Sequence, residues 1–210
     1  MFRIILIITV MGSLVWLYKT IRRGNITAAK VWRRIKTEFT VFKKYREVEP
    51  GQVLAKLRKS TYLLTLTFFL VLAVSAYLQV MIWGGPLTGW LLIIHVTAAP
   101  LFAISLMLNI LVWAQQKRFD QQDWYYLRQI FRQKKVLLLR SNDAEFWNKL
   151  IFWIFMLSAI PAILSIVLQL YPVFGSAGME NLLSIHRYST LILFIAVVIH
   201  GRLLLQKLNH

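Results

Sequence analysis

The sequence predicts an all-α integral membrane protein, and three observations carry that reading. Of the 210 residues, 58% are hydrophobic, and the mean hydropathy is +0.60, more apolar than a soluble domain of this size can hide. The apolar residues gather into five blocks, at about residues 4–18, 62–83, 88–114, 150–171 and 182–205, where a helix needs about 20 such residues to cross a hydrocarbon core. Lys and Arg are concentrated in two of the connecting segments, which is how a membrane topology is written into charge. Backbone N–H and C=O groups have no partner in lipid, so each block must be a helix.

The first block lies in "MFRIILIITVMGSLVWLYKTIRRGN". Only Arg3 precedes its apolar run, Lys19, Arg22 and Arg23 follow it, and no A-x-A cleavage pattern appears. It therefore reads as a retained helix with its N-terminus outside, not as a cleaved signal. The segment after it contains "AAKVWRRIKTEFTVFKKYREV", in which Val31, Ile35, Phe39 and Phe42 recur at helical spacing with basic residues between them. That pattern fits a basic amphipathic helix on an anionic leaflet or against a partner, and equally a solvated linker helix. The second block, "STYLLTLTFFLVLAVSAYLQVMIW", ends at "GGPLTG", a Gly- and Pro-rich turn. The third block, "WLLIIHVTAAPLFAISLMLNILVW", holds His95.

After it comes "AQQKRFDQQDWYYLRQIFRQKKVLLLRSNDAEFWNK", whose middle predicts an interfacial helix on Trp124, Leu127, Ile130 and Phe131. The fourth block carries Pro161, a predicted kink. The fifth, within "SIHRYSTLILFIAVVIHG", carries His186 and His200. Trp83, Trp90, Trp113, Trp147 and Trp153 fall near span ends, as an aromatic belt does.

The formal net charge of +17 raises nucleic acid as a partner, but the location of the charge answers it. Thirteen of the 25 Lys and Arg lie between Lys19 and Lys59, and eight between Lys117 and Lys149, while "WGGPLTGW" and "YPVFGSAGMEN" carry none. The positive-inside rule accounts for this distribution without nucleic acid, and it orients the basic segments and the C-terminus toward the cytoplasm. There is no cysteine, which excludes disulfides, cysteine-held iron–sulfur clusters and covalent haem attachment within this chain.

Apolar spans rarely hold histidine. His186 and His200, 14 residues apart, fall on nearly one helix face, about 21 Å apart along the axis. His95 has a predicted depth closer to that of His186. Two histidines at similar depth on different helices can clamp a haem iron, and a metal-bound imidazole carries no charge into lipid. The plain alternative is a set of packing or snorkelling histidines. The small residues Ala98, Ala99, Ser189 and Thr190 follow His95 and His186 by about one turn; they leave room for a flat porphyrin, or simply pack helices closely. Arg187 fits either a haem propionate partner or an interfacial anchor.

The stretches "TGWLLIIHVTAAPLFA", "DWYYLRQIF", "EFWNKLIFWIFMLSAIPAILSIVLQLYPVFG" and "LLSIHRYSTLILFIAVVIHG" resemble the membrane cytochrome b subunits (gamma subunits) of respiratory formate dehydrogenases, and their relatives in hydrogenases and thiosulfate reductases. The resemblance covers about residues 55–206. It implies a four-helix transmembrane bundle over residues 60–210; the extra N-terminal transmembrane helix and basic segment over 1–59 lie outside the resemblance. It also implies an outer haem b held by His95 and His186. An inner haem would join His200 to a histidine at the start of the first core helix, but Ser60 and Thr61 stand there. The expectation is therefore one haem rather than two. With one haem, His200 would hydrogen-bond a quinone (menaquinone or ubiquinone); in the two-haem alternative it would ligate the inner haem with an unusual partner such as Lys59 or a residue of another subunit.

By this resemblance the chain anchors a multi-subunit oxidoreductase in the bacterial inner membrane. It would relay electrons between the quinone pool and periplasmic or membrane redox subunits of iron–sulfur or cytochrome c type. Its partners are these subunits and membrane lipid. Paired carboxylates in a span, a phosphate loop and a nucleophile–base pair are all missing from the sequence, so substrate conversion belongs to another chain. The alternatives are a haem-less assembly subunit of the same kind of complex and, more remotely, a small transporter using its histidines for protons or a metal.

Overall fold

A computed structural model describes residues 1–24, 27, 29, 50–133, 144–171 and 173–207. The basic amphipathic segment on Val31, Ile35, Phe39 and Phe42 lies outside the described residues. Among the described residues six helices are present: α1 (Phe2–Arg23), α2 (Pro50–Ile82), α3 (Gly89–Trp113), α4 (Gln121–Gln133), α5 (Ala144–Gln169) and α6 (Gly175–Lys207). There is no strand among the described residues. Five helices, all but α4, are long and apolar enough to cross a membrane. The chain is an all-α, multi-pass membrane protein.

The distribution of exposure supports that statement. On α2, Leu70, Val74 and Leu78 are exposed and recur every four residues; on α3, Ile93, Val96, Ile104, Met107 and Leu111 are exposed. Each such side chain would gain roughly 1.5–3 kcal/mol by leaving water, so these stripes need lipid or protein cover. α1 is the barest span, with 6% of its apolar window buried against 22–28% in the other four.

Contacts divide the chain into two units, Met1–Val112 with Leu204–His210, and Trp113–Leu203. In the first unit, α1 packs on α2, and Leu6 is fully buried. The Arg3 guanidinium donates to the Met81 carbonyl at 2.9 Å, giving a donor and a positive charge to the last turn of α2, where carbonyls lack helical partners. Gly84, at φ +71°, lets the chain turn immediately after that turn, a conformation that a Cβ penalises. Gln79 Nε2 closes the turn by donating to Pro86 O at 3.1 Å. At the opposite end of α3, Arg58 Nε donates to Val112 O at 3.0 Å. Phe69 and Phe102 pack between α2 and α3 with ring centroids 6.2 Å apart.

In the second unit, Ile151, Ala196 and Leu203 form a buried cluster with Trp147, Phe155 and Ile199 packed against it. α4 begins with a reciprocal cap: Asp120 N–H donates to Asp123 Oδ2 and Asp123 N–H to Asp120 Oδ1, both at 2.9 Å, an all-aspartate form of the capping box. Lys149 Nζ, on α5, then bonds Asp123 Oδ2 at 2.8 Å and Asp120 Oδ2 at 3.1 Å. The predicted interfacial helix is present as α4, with Trp124 and Tyr125 exposed; the side chains of Ile130 and Phe131 lie outside the described ones.

Helix ends depart from the apolar blocks. The described part of α2 already runs from Pro50, about a dozen residues before its apolar block, and α6 begins at Gly175, several residues before its own. A helix stops where its backbone is capped or broken, not where hydrophobicity falls. α5 runs through Pro161 without interruption.

Candidate haem-ligand sites

His95 lies in the first unit and His186, Arg187 and His200 in the second. His95 projects from α3 toward α2, where its Nδ1 is 3.0 Å from Ser75 Oγ. Ser75 is buried, and its single hydroxyl proton goes to Leu72 O at 3.0 Å. In the tautomer with its proton on Nδ1, His95 donates to Ser75 Oγ, which in turn donates to Leu72 O.

His186 makes a comparable contact with a different partner. Its Nδ1 lies 2.8 Å from Ala162 O, and a carbonyl can only accept, so Nδ1 holds the proton. Ala162 and Ala159 on α5 are both buried, and their small side chains let α6 come close enough for this bond. Both rings thus have Nδ1 at hydrogen-bond distance from an oxygen on a neighbouring helix. Metal-ligating histidines are arranged in this way, with one nitrogen held by an outer acceptor and the other presented to the ion.

His200 is half-buried on the same helix as His186. Ala196 and Leu203, about one turn on either side of it, belong to the buried cluster on Ile151. At the position where the resemblance expects a fourth histidine, Thr61 is buried and donates to Arg58 O at 3.0 Å, while Ser60 is exposed. Arg187 is half-buried, and Ala98 and Ser189 are buried while Ala99 and Thr190 are half-buried. Among the described residues no three His, Asp or Glu side chains gather into a metal site.

Sequence reasoning missed a buried polar cluster between α2 and α3. Thr65 Oγ1 lies 2.8 Å from Thr61 O and 3.1 Å from Ser105 O, Asn109 Nδ2 donates to Thr65 Oγ1 at 3.1 Å, and Ser105 Oγ donates to Phe102 O at 2.8 Å. Asn109 inside "LMLNILVW" was the available signal, because an amide within a span must find a partner across the helix interface. Ser75 offered no signal of its own, since a serine that bonds its own helix looks the same in sequence as one that orients a histidine.

No family model matches the chain, and no curated protein or solved structure matches it.

Proposed function

We propose that this chain is the haem b-carrying membrane subunit of a multi-subunit respiratory oxidoreductase. It sits in the bacterial inner membrane with its N-terminus outside and its C-terminus cytoplasmic. One haem is held by His95 and His186, and the chain relays electrons between the quinone pool, menaquinone or ubiquinone, and a partner redox subunit of iron–sulfur or cytochrome c type. The observation that carries this reading is a contact the two rings share: each has its Nδ1 within 3.0 Å of an oxygen on a neighbouring helix, the kind of orienting contact that metal-ligating histidines make.

The haem, when bound, supplies one-electron chemistry. The residues of this chain hold and orient it. Ser75 and the Ala162 carbonyl fix the two imidazoles, Ala98 and Ser189 keep the neighbouring helix surface low, and Arg187 pairs with a propionate. His200 hydrogen-bonds a quinone or stays a packing residue. The orientation rests on the 13 basic residues of 19–59 and the eight of 117–149.

The reading is tested by the dithionite-reduced spectrum and pyridine haemochrome stoichiometry of the intact complex. One b-type haem is expected, lost in both His95→Ala and His186→Ala; absence of a b-type α-band from the wild-type complex sinks the proposal. A second reading, a haem-less assembly subunit, draws on Thr61, which occupies the expected ligand position and is committed to Arg58 O. That same missing band, from a complex that still assembles, would establish it.

A further inference from the structure

Residues 114–119 leave the end of α3 and lead to the cap of α4. Four of them, Ala114, Gln115, Arg118 and Phe119, line an open cleft of about 540 Å³ with Trp124 and Trp153. That volume falls within the range of about 300–1,000 Å³ typical of small-ligand sites. We infer that this cleft binds the headgroup of an anionic phospholipid, with the start of an acyl chain along its aromatic wall. The inference is independent of the haem proposal.

Three features on different residues support it. The first is position. The cleft opens where a membrane-spanning helix ends and an amphipathic helix begins, which is the level of lipid headgroups, and exposed Trp124 and Tyr125 are placed as interfacial aromatics are. The second is pre-organisation. Trp153 Nε1 donates to Lys117 O at 2.7 Å, and the Phe119 ring sits 5.8 Å from Trp124 and 6.3 Å from Phe146. The Lys149–Asp120–Asp123 cluster holds the end of the loop. A site fixed in this way orders little on binding.

The third feature is charge. Arg118 lines the cleft and is exposed, so its planar fork of donors is available to a phosphodiester. The nearest acids do not compete for it, because Asp120 and Asp123 accept from each other's backbone N–H and from Lys149. Lys117, with its ammonium 5.3 Å from the centre of the Trp113 ring, adds to the same positive field. Aromatic walls distinguish the expected ligand from a free phosphate compound, which would gain nothing from them. A zwitterionic lipid would satisfy the walls but bring a cation to Arg118.

The test is native mass spectrometry of the full chain in mild detergent, titrated with phosphatidylglycerol, phosphatidylcholine or inorganic phosphate. One phosphatidylglycerol should be retained, with Arg118→Gln weakening it roughly tenfold, as expected for loss of a charge-assisted bond. Ala114→Trp fills the cleft and leaves every charge in place, and it should abolish retention. Equal retention of phosphatidylcholine, displacement of the lipid by millimolar phosphate, or full retention by Arg118→Gln or Ala114→Trp overturns the inference. Unchanged helical circular dichroism checks that each variant is folded.

Discussion

Ser75→Ala puts the proposed role of His95 at direct risk. Ser75 is 3% exposed, so no water stands ready to replace its oxygen as acceptor for the His95 Nδ1–H held at 3.0 Å. Removing an outer acceptor of a metal-bound histidine weakens metal binding about 10–100-fold, which is about 1.4–2.8 kcal/mol. The same range follows from another direction, since leaving a buried donor unsatisfied costs about 1–3 kcal/mol. The assay is titration of haem into the haem-depleted complex, followed by the Soret band, together with the midpoint potential of the bound haem. Affinity should fall by that factor, and the potential should rise as the ligand becomes a poorer donor. Ser75→Thr keeps the hydroxyl and should keep most of the affinity. If Ser75→Ala binds haem with unchanged affinity and potential, the hydrogen bond does not orient a ligand, and the case for His95 falls back on its location alone.

Other expectations concern the scaffold. Lys149→Met leaves the buried Asp123 carboxylate with its backbone bond but without its cation; a bond to a charged group contributes about 1.5–3 kcal/mol, so thermal unfolding in detergent should show a loss of about 2 kcal/mol and earlier proteolysis within α4. Asn109→Ala should cost about 1–2 kcal/mol, and adding Thr65→Val should cost less than it does alone, because the pair shares one hydrogen bond; strictly additive losses would show that the contact contributes nothing. The Asp120 carboxyl is held below its ordinary value of 3.8 by the Asp123 backbone N–H and then by the Lys149 ammonium. A lowered folded-state pKa adds stability above the unfolded value that disappears as pH falls through the folded one. Stability should therefore be insensitive to this group between about pH 5 and 8 and decline below about pH 4, and Asp120→Asn should flatten the acid limb of a melting-temperature profile.

The spans were legible because lipid imposes one rule on every residue within them. Blocks of apolar residues became α1, α2, α3, α5 and α6, and the Gly-rich turn closed at Gly84. Ends were less legible. Hydropathy alone places the start of α2 near residue 62, whereas its described part already runs from Pro50. Within the site, the three histidines stood out because ionisable groups in a span are costly. Their partners did not. Ser75 is 20 residues from His95 and Ala162 is 24 from His186, so both bonds depend on how helices are packed. The second of them uses a backbone carbonyl, which every residue has. The Lys149–Asp123 pair, 26 residues apart, was hidden for the same reason.

The bond from Arg3 to Met81 spans 78 residues of sequence. At about 5–20 residues per second of synthesis, the guanidinium waits some 4–16 s for its carbonyl to be made. During that interval α1 has neither its electrostatic tether nor the surface of α2 to pack on, and it is the span with the least buried surface even afterwards. Assembly of α1 is thus a late event by necessity. A slow ribosome or a crowded insertion site would expose this helix first, which makes Arg3 a residue whose loss should be felt more in yield than in the stability of the finished protein.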